Sequence, residues 1–238
     1  KKMKQAFDKE PVIIGGCARS GTTLLLSVLS AHPHILAFHK ELSVFNYWLE
    51  HGDKRKPWRI DRLYREILFR KVPGEVRRWS EKTPGNVRHI DEIMEYLDGH
   101  VKFIHIIRDG RDVVLSKHPD NDDYLVDPQW WVRDVKAGLK LDHHPNVLTI
   151  YYEDLIRNYD STLRTVCDFI DEPFTDSLKE WHSHASLRRS NAWHGGIRKL
   201  SDRSIEKWRR KEHRERVEAF MNNNQARTLL ENLGYPLK

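Results

Sequence analysis

Apolar residues in this chain fall into short continuous runs that alternate with stretches of helical spacing. The run "PVIIGG" (11–16) is bounded by Pro11 and ends in glycine, as a buried strand does. "TTLLLSVLSAH" (22–32) follows with Leu24, Leu25, Val28 and Leu29 at helical spacing, and Pro33 ends it. Val101 to Ile107 is a β-branched run, turned by Asp109 and Gly110 into a second helix. A third strand-to-helix unit lies in "NVLTIYYEDLIRNYDSTLRTVCDFI" (146–170). "DRLYREILFRKV", "DEIMEYLDGH" and "DPQWWVRDVKAGLKL" predict amphipathic helices. The tail from Ser204 onward predicts helix, with Gly234 and Pro236 as its stop.

Strands alternating with helices predict an α/β fold: a parallel sheet flanked by helices on both faces, with a helical C-terminal region. No repeat, low-complexity segment or linker divides the 238 residues, so residues 1–238 are read as one domain. Hydrophobic residues at 39% and charged residues at 32% exclude a disordered chain. No apolar run approaches the roughly 20 residues of a membrane span. The opening "KKMKQAFDKE" is polar rather than a signal peptide. The chain begins at Lys1, which leaves open an upstream segment, an anchor included. Two cysteines, Cys17 and Cys167, cannot make a disulfide framework, which points to the cytoplasm or another reducing compartment.

The stretch "PVIIGGCARSGTTLLLSVLSAHP" (11–33) nearly spells a Walker phosphate loop, G-x-x-x-x-G-K-[ST]. Gly16 and Gly21 have the spacing and Thr23 fills the hydroxyl position, but Thr22 stands where the lysine belongs. A strand feeding a helix through such a loop presents backbone N–H groups and the positive end of a helix dipole to an anion. Ser20, Thr22 and Thr23 add hydroxyls, and Arg19 offers a guanidinium that can fork onto two oxygens of a phosphate or sulfate.

"ARSGTTLLLSVLSAHP" resembles the 5′-phosphosulfate loop, [KR]-S-G-T-T-[LW], of sulfotransferases that use 3′-phosphoadenosine 5′-phosphosulfate (PAPS). Its form is especially similar to protein-tyrosine sulfotransferases and their bacterial relatives. A second family motif, a strand-end arginine followed eight residues later by a serine, is matched by Arg108 and Ser116 in "FIHIIRDGRDVVLSKH". A third, Y-E-D-L before a helix, is matched by "YYEDL" and points to Tyr152. The resemblance covers about residues 11–175, with a weaker echo in the C-terminal helices.

The resemblance implies a P-loop-like sulfotransferase fold and transfer of a sulfuryl group from PAPS, leaving PAP, without a metal. It implies that Arg19, Ser20, Gly21, Thr22, Thr23 and Leu24 hold the 5′-phosphosulfate, Arg19 also acting as a catalytic cation. Arg108 and Ser116 would hold the 3′-phosphate, and Tyr152 would approach the adenine. Tyrosine sulfotransferases place a glutamate base a few residues after A-H-P. Glu41 lies one residue beyond that spacing, and His39 is the competitor. Lys82 in "SEKTPGN" would stabilise the leaving oxygens. Arg198 and Lys199 in "GGIRKLSD" would close over the nucleotide.

A net charge of +6 favours anionic partners. The densest run, "KWRRKEHRER" (207–216), predicts an exposed helix; Trp208 is its sole aromatic, so no nucleic-acid partner is expected. The 14 histidines lack companion cysteines and any H-E-x-x-H, so no metal site is expected. Ser20 lies outside a G-x-S-x-G elbow, which argues against a hydrolase. The eight tryptophans suit the core or an aromatic acceptor cleft, and the acceptor stays open among carbohydrate, peptide tyrosine and small molecule. Two rivals remain: a kinase using ATP and Mg²⁺, and an inactive nucleotide- or polyanion-binding module.

Overall fold

In the computed structural model, which describes residues 7–45, 59–118, 122–188 and 200–237, β1 (Val12–Gly15) runs through the middle of a sheet. It leads through the glycine loop into α1 (Thr22–Leu29), then β2 (Ile35–Ala37), α2 (Ile60–Phe69) and β3 (Arg78–Lys82). A 3₁₀ turn (Pro84–Arg88) and α3 (Ile90–Tyr96) precede β4 (Lys102–Ile107). Next come α4 (Gly110–Val114), α5 (Pro128–Leu139), β5 (Val147–Tyr151), α6 (Tyr152–Arg157) and α7 (Tyr159–Phe169). Single turns at Asp176–Lys179 and Trp181–His184 follow, and the chain closes with α8 (Arg214–Met221) and α9 (Asn224–Asn232).

The five strands lie in the order β2-β3-β1-β4-β5, every pairing parallel. Side chains alternate across the sheet. Val12, Ile14, Ile104 and Ile106 face α1 and α7 on one side, while Ile13 and Phe103 face α2 and α3 on the other. A third apolar cluster joins Ile107, Val113, Trp131 and Val135 to Phe220 and Leu229, so the two last helices pack on α4 and α5. The Trp131 and Phe220 rings meet edge to face at 5.4 Å. Cys17 and Cys167 are both buried and free. No helix among the described residues is long and apolar enough to cross a membrane.

The parallel α/β sheet is the one the pattern predicts, with two strands added. β2 is only three residues long. β3, "RWSEK", is buried along its whole length yet polar at four of five positions, so it carries no apolar run to recognise. Three of its polar side chains find partners sideways: Arg78 Nε donates to Glu172 Oε1 at 3.1 Å, Glu81 accepts three hydrogen bonds, and Lys82 pairs with Glu41. The exposed helix expected over 207–216 is corrected. Two single 3₁₀ turns, Lys207–Arg209 and Lys211–His213, stand there before α8 begins, and Lys207 and Trp208 are half-buried.

Candidate functional site

β1 pairs with β3 on one side and β4 on the other, so the order of the strands reverses about it. Crevices at the carboxyl ends of strands at such a reversal are where open α/β sheets bind ligands. Three segments converge there: the glycine loop after β1, Lys82 at the end of β3, and Arg108 just past β4.

Gly21 caps α1 with φ 98°, a left-handed conformation open to glycine, and a Cβ there would lie 2.4 Å from the Tyr152 ring. It offers no side-chain cap, which leaves first-turn N–H groups of α1 to an anion. Arg19 also takes a left-handed φ, 69°, at a cost of about 1–2 kcal/mol for a non-glycine residue. Its carbonyl accepts from Arg108 Nη1 at 2.9 Å. Arg108 Nη2 donates to the Ser204 carbonyl, and its guanidinium lies 4.4 Å from the centre of the Tyr152 ring. The Tyr152 hydroxyl meets Ser204 Oγ at 2.7 Å. Thus Tyr152 is wedged between the loop and Arg108, and segment 201–208 is drawn over both.

Three cations crowd this mouth. Burial, then the neighbouring Arg108 guanidinium, lowers Arg19 below its usual range. Burial, then Arg108, pushes Lys207 down to about 8; Arg19 and Arg210 add to this, and Asp112 opposes it. Arg19 Nε, Ser20 Oγ and Arg108 Nε are buried without a partner among the described residues. Like charges held together beside unspent donors are stabilised by a negative charge placed between them. Asp112, its carboxyl raised by burial, accepts the Trp208 N–H at 3.0 Å, and the Arg111 guanidinium lies 3.6 Å from the Trp208 ring centre. Ser116 is buried just past the end of α4, two residues beyond Val114, with Oγ 3.4 Å from the Asp112 carbonyl.

On the other side of the loop, Lys82 sits in register with Ile14 of β1. Its ammonium is hydrogen-bonded to Glu41 Oε1, the lysine side chain being 6% exposed and the glutamate 48%. His39 Nε2 lies instead 3.3 Å from Ser186 Oγ. Of the residues read from sequence, Arg108 touches both Arg19 and Tyr152, Ser20, Thr22 and Thr23 belong to the same loop and first helical turn, and Glu41 pairs with Lys82. Leu24 is half-buried and packs against the core. Arg198 and Lys199 lie outside the described residues. Lys207, Trp208, Ser204 and Asp112 were missed. The one available signal was Trp208, an aromatic inside an otherwise charged run.

His32, His34 and Glu172 place ligand atoms within 4.8 Å of one another, away from this mouth. Both His32 nitrogens are engaged: Nδ1 accepts the His34 N–H and Nε2 meets the Pro173 carbonyl. Glu172 is paired with Arg78 and Lys9. The cluster is spent on holding β3 to the turn after α7.

A P-loop-like α/β protein with a cation-lined crevice at the switch point is the class that this fold and mouth define. The family model described as the sulfotransferase domain matches residues 9–229, and the chain belongs to that family. It is 25% identical over 200 residues to protein-tyrosine sulfotransferase 1 of Danio rerio, covering 72% of this chain and 56% of that one. It is 23% identical over 199 residues to the protein-tyrosine sulfotransferase of Drosophila melanogaster, covering 70% of this chain and 39% of that one. The chain thus spans roughly half or less of the length of these two relatives. Among solved structures, the sulfotransferase domain from the Synechococcus PCC 7002 olefin synthase superposes with TM-score 0.60 at 21% identity, over 89% of this chain and 95% of that one. Mouse sulfotransferase SULT7A1 complexed with PAP gives TM-score 0.58 at 15% identity, over 96% and 90%. At these identities the likeness is one of fold.

Proposed function

We propose that this chain transfers the sulfuryl group of PAPS to an acceptor hydroxyl or amine. The observation that carries the reading is the crowding of Arg19, Arg108 and Lys207 around an uncapped helix N-terminus, with Lys82 across the loop. A donor with two anionic groups on one ribose suits several cations gathered around one loop. In this reading the loop residues Arg19 to Thr23 hold the 5′-phosphosulfate, with Leu24 anchoring the helix behind them. Arg108 and Ser116 hold the 3′-phosphate, and Lys207 adds a third cation that sequence reasoning did not supply. Tyr152 lines the nucleotide side. Arg198 and Lys199 would close over it.

Transfer needs an acceptor stripped of its proton, an in-line approach and a countercharge for the leaving oxygen. Glu41 takes the acceptor proton as the new O–S bond forms. The bond from sulfur to the 5′-phosphate oxygen breaks with its electron pair, and Lys82 and Arg19 meet the charge left on PAP. Glu41 and Lys82 satisfy each other here, so transfer asks each to turn to a reacting oxygen. His39 faces Ser186 rather than Lys82, which favours Glu41 as the base. The tyrosine sulfotransferase relatives make an acidic tyrosine peptide the first acceptor to try, and the net charge of +6 suits it.

The test is transfer of ³⁵S from labelled PAPS to such a peptide, to phenols and to oligosaccharides, in the presence of a chelator. Labelled product with one acceptor class, lost in Glu41→Gln, supports the reading. Phosphoryl transfer from ATP and Mg²⁺ in place of sulfuryl transfer would contradict it.

A further inference from the structure

The base arc is held at two points. Phe38 N–H donates to the Ser80 carbonyl at 2.9 Å, and Leu42 N–H donates to Glu81 Oε1 at 3.2 Å. Between these anchors His39, Lys40 and Glu41 are exposed. The anchors sit on consecutive residues of β3, and the next residue, Lys82, is the partner of Glu41. The geometry therefore frames a short arc above the strand end, with Glu41 at its far shoulder.

Glu81 does more than accept from Leu42. Its Oε1 also accepts the Thr83 hydroxyl at 2.5 Å, and its Oε2 accepts from Asn86 Nδ2 at 2.7 Å. Thr83 Oγ1 in turn accepts the Ser43 N–H at 3.1 Å. Ser43 has φ 49°, so the chain turns sharply where these bonds catch it. Glu81, Thr83 and Asn86 are all buried. A carboxylate sunk this deep is tolerated only with its lone pairs filled, which makes the network rigid. Arg62 Nη1, on the Leu42 carbonyl at 2.9 Å, supports the same residue from α2.

We propose that Glu81, acting with Thr83, is a positioning residue that staples the 38–43 arc to the end of β3 and so sets Glu41 against Lys82. The inference rests on the sulfotransferase reading for its catalytic meaning. Glu81 touches neither donor nor acceptor; it acts by fixing where the base stands relative to the cation.

The test uses the whole chain and needs no acceptor. Amide hydrogen exchange is followed by NMR at Leu42 and Ser43, and acetic anhydride labelling of Lys82 by mass spectrometry. In Glu81→Ala, exchange at both amides should rise about tenfold or more, while β1 and β4 amides keep their protection. Lys82 labelling should rise to the rate seen in Glu41→Ala. Glu81→Gln should restore both, because its oxygen can serve Leu42 and Thr83. Its amide nitrogen, in the place of Oε2, can donate to Asn86 Oδ1 once the Asn86 amide turns over, and that oxygen has no other partner among the described residues. Should Glu81→Ala fail to fold, Thr83→Val replaces it with a near-isosteric side chain. Ser43 exchange should rise there and stay low in Thr83→Ser. Unchanged exchange and labelling in the alanine and valine variants, an equal rise across the sheet, or no rescue by glutamine or serine would overturn the proposal. Calorimetric titration of the wild-type chain with PAP is run beside these. A chain with the staple but blind to PAP would contradict the donor reading and leave the staple standing.

Discussion

Arg108 joins three segments: its guanidinium spans the Arg19 carbonyl, the Ser204 carbonyl and the face of Tyr152. Replacing it with alanine should weaken PAP binding about a hundredfold, the size of one or two hydrogen bonds to a charged group. Isothermal calorimetry reads this, and an unchanged affinity would remove Arg108 from the site. Glu41→Gln should leave PAP binding intact and lower turnover by about 10²–10⁴, the span of general-base catalysis. Lys207 supplies a pH test. Its ammonium titrates near 8, and only the protonated form attracts an anion. PAP affinity should therefore fall as pH rises from about 7 to about 9, and Lys207→Met should flatten that slope. The places of Arg19 and Ser20 after β1 and of Arg108 after β4 were legible because each follows directly on an apolar strand. Lys207 was not, because its role depends on a fold-back of the chain that no local pattern records. It looks like its exposed neighbours Arg209 and Arg210.

β3 shows where element-level reading stops. β1, β4 and β5 carry apolar residues that the sheet buries, so hydrophobicity announces them. β3 is buried too, but the Arg78, Glu81 and Lys82 side chains find their partners in Glu172, Leu42, Thr83, Asn86 and Glu41, all outside the strand. Polarity in a buried strand is thus the mark of a site, and only the assembled partners make it readable. Close packing gives a second test at this scale. A Cβ on Gly138 of α5 would lie 2.2 Å from the buried His105 ring of β4. Gly138→Ala gains about 1 kcal/mol of helix propensity but overpacks the core at a cost of about 1–3 kcal/mol. The overpacking should win and lower the melting temperature; a rise would show that α5 can shift away from the sheet.

The whole molecule places cations on both flanks of a single glycine loop because β1 is central and its neighbours run in parallel. Part of its pH stability comes from one buried group in that same sheet. Burial pulls His105 down to about 4 from 6.5. Between those values the unfolded chain holds a proton that the folded chain does not, so stability is full above about 6.5 and is lost as pH falls toward about 4. The loss is on the order of 3 kcal/mol, and urea melts of the wild type and His105→Gln should show it shrinking in the variant. The central claim, that this mouth holds a 3′-phosphorylated adenosine nucleotide, is tested most directly by a thermal-shift titration with PAP, with ATP plus Mg²⁺ alongside. At about a hundred times its dissociation constant PAP should add about 2.7 kcal/mol of stability, or roughly 5–10 °C for a domain of this size. That shift is expected with chelator present, and its loss is expected in Arg108→Ala. A shift with ATP and Mg²⁺ alone, abolished by chelator, would contradict it.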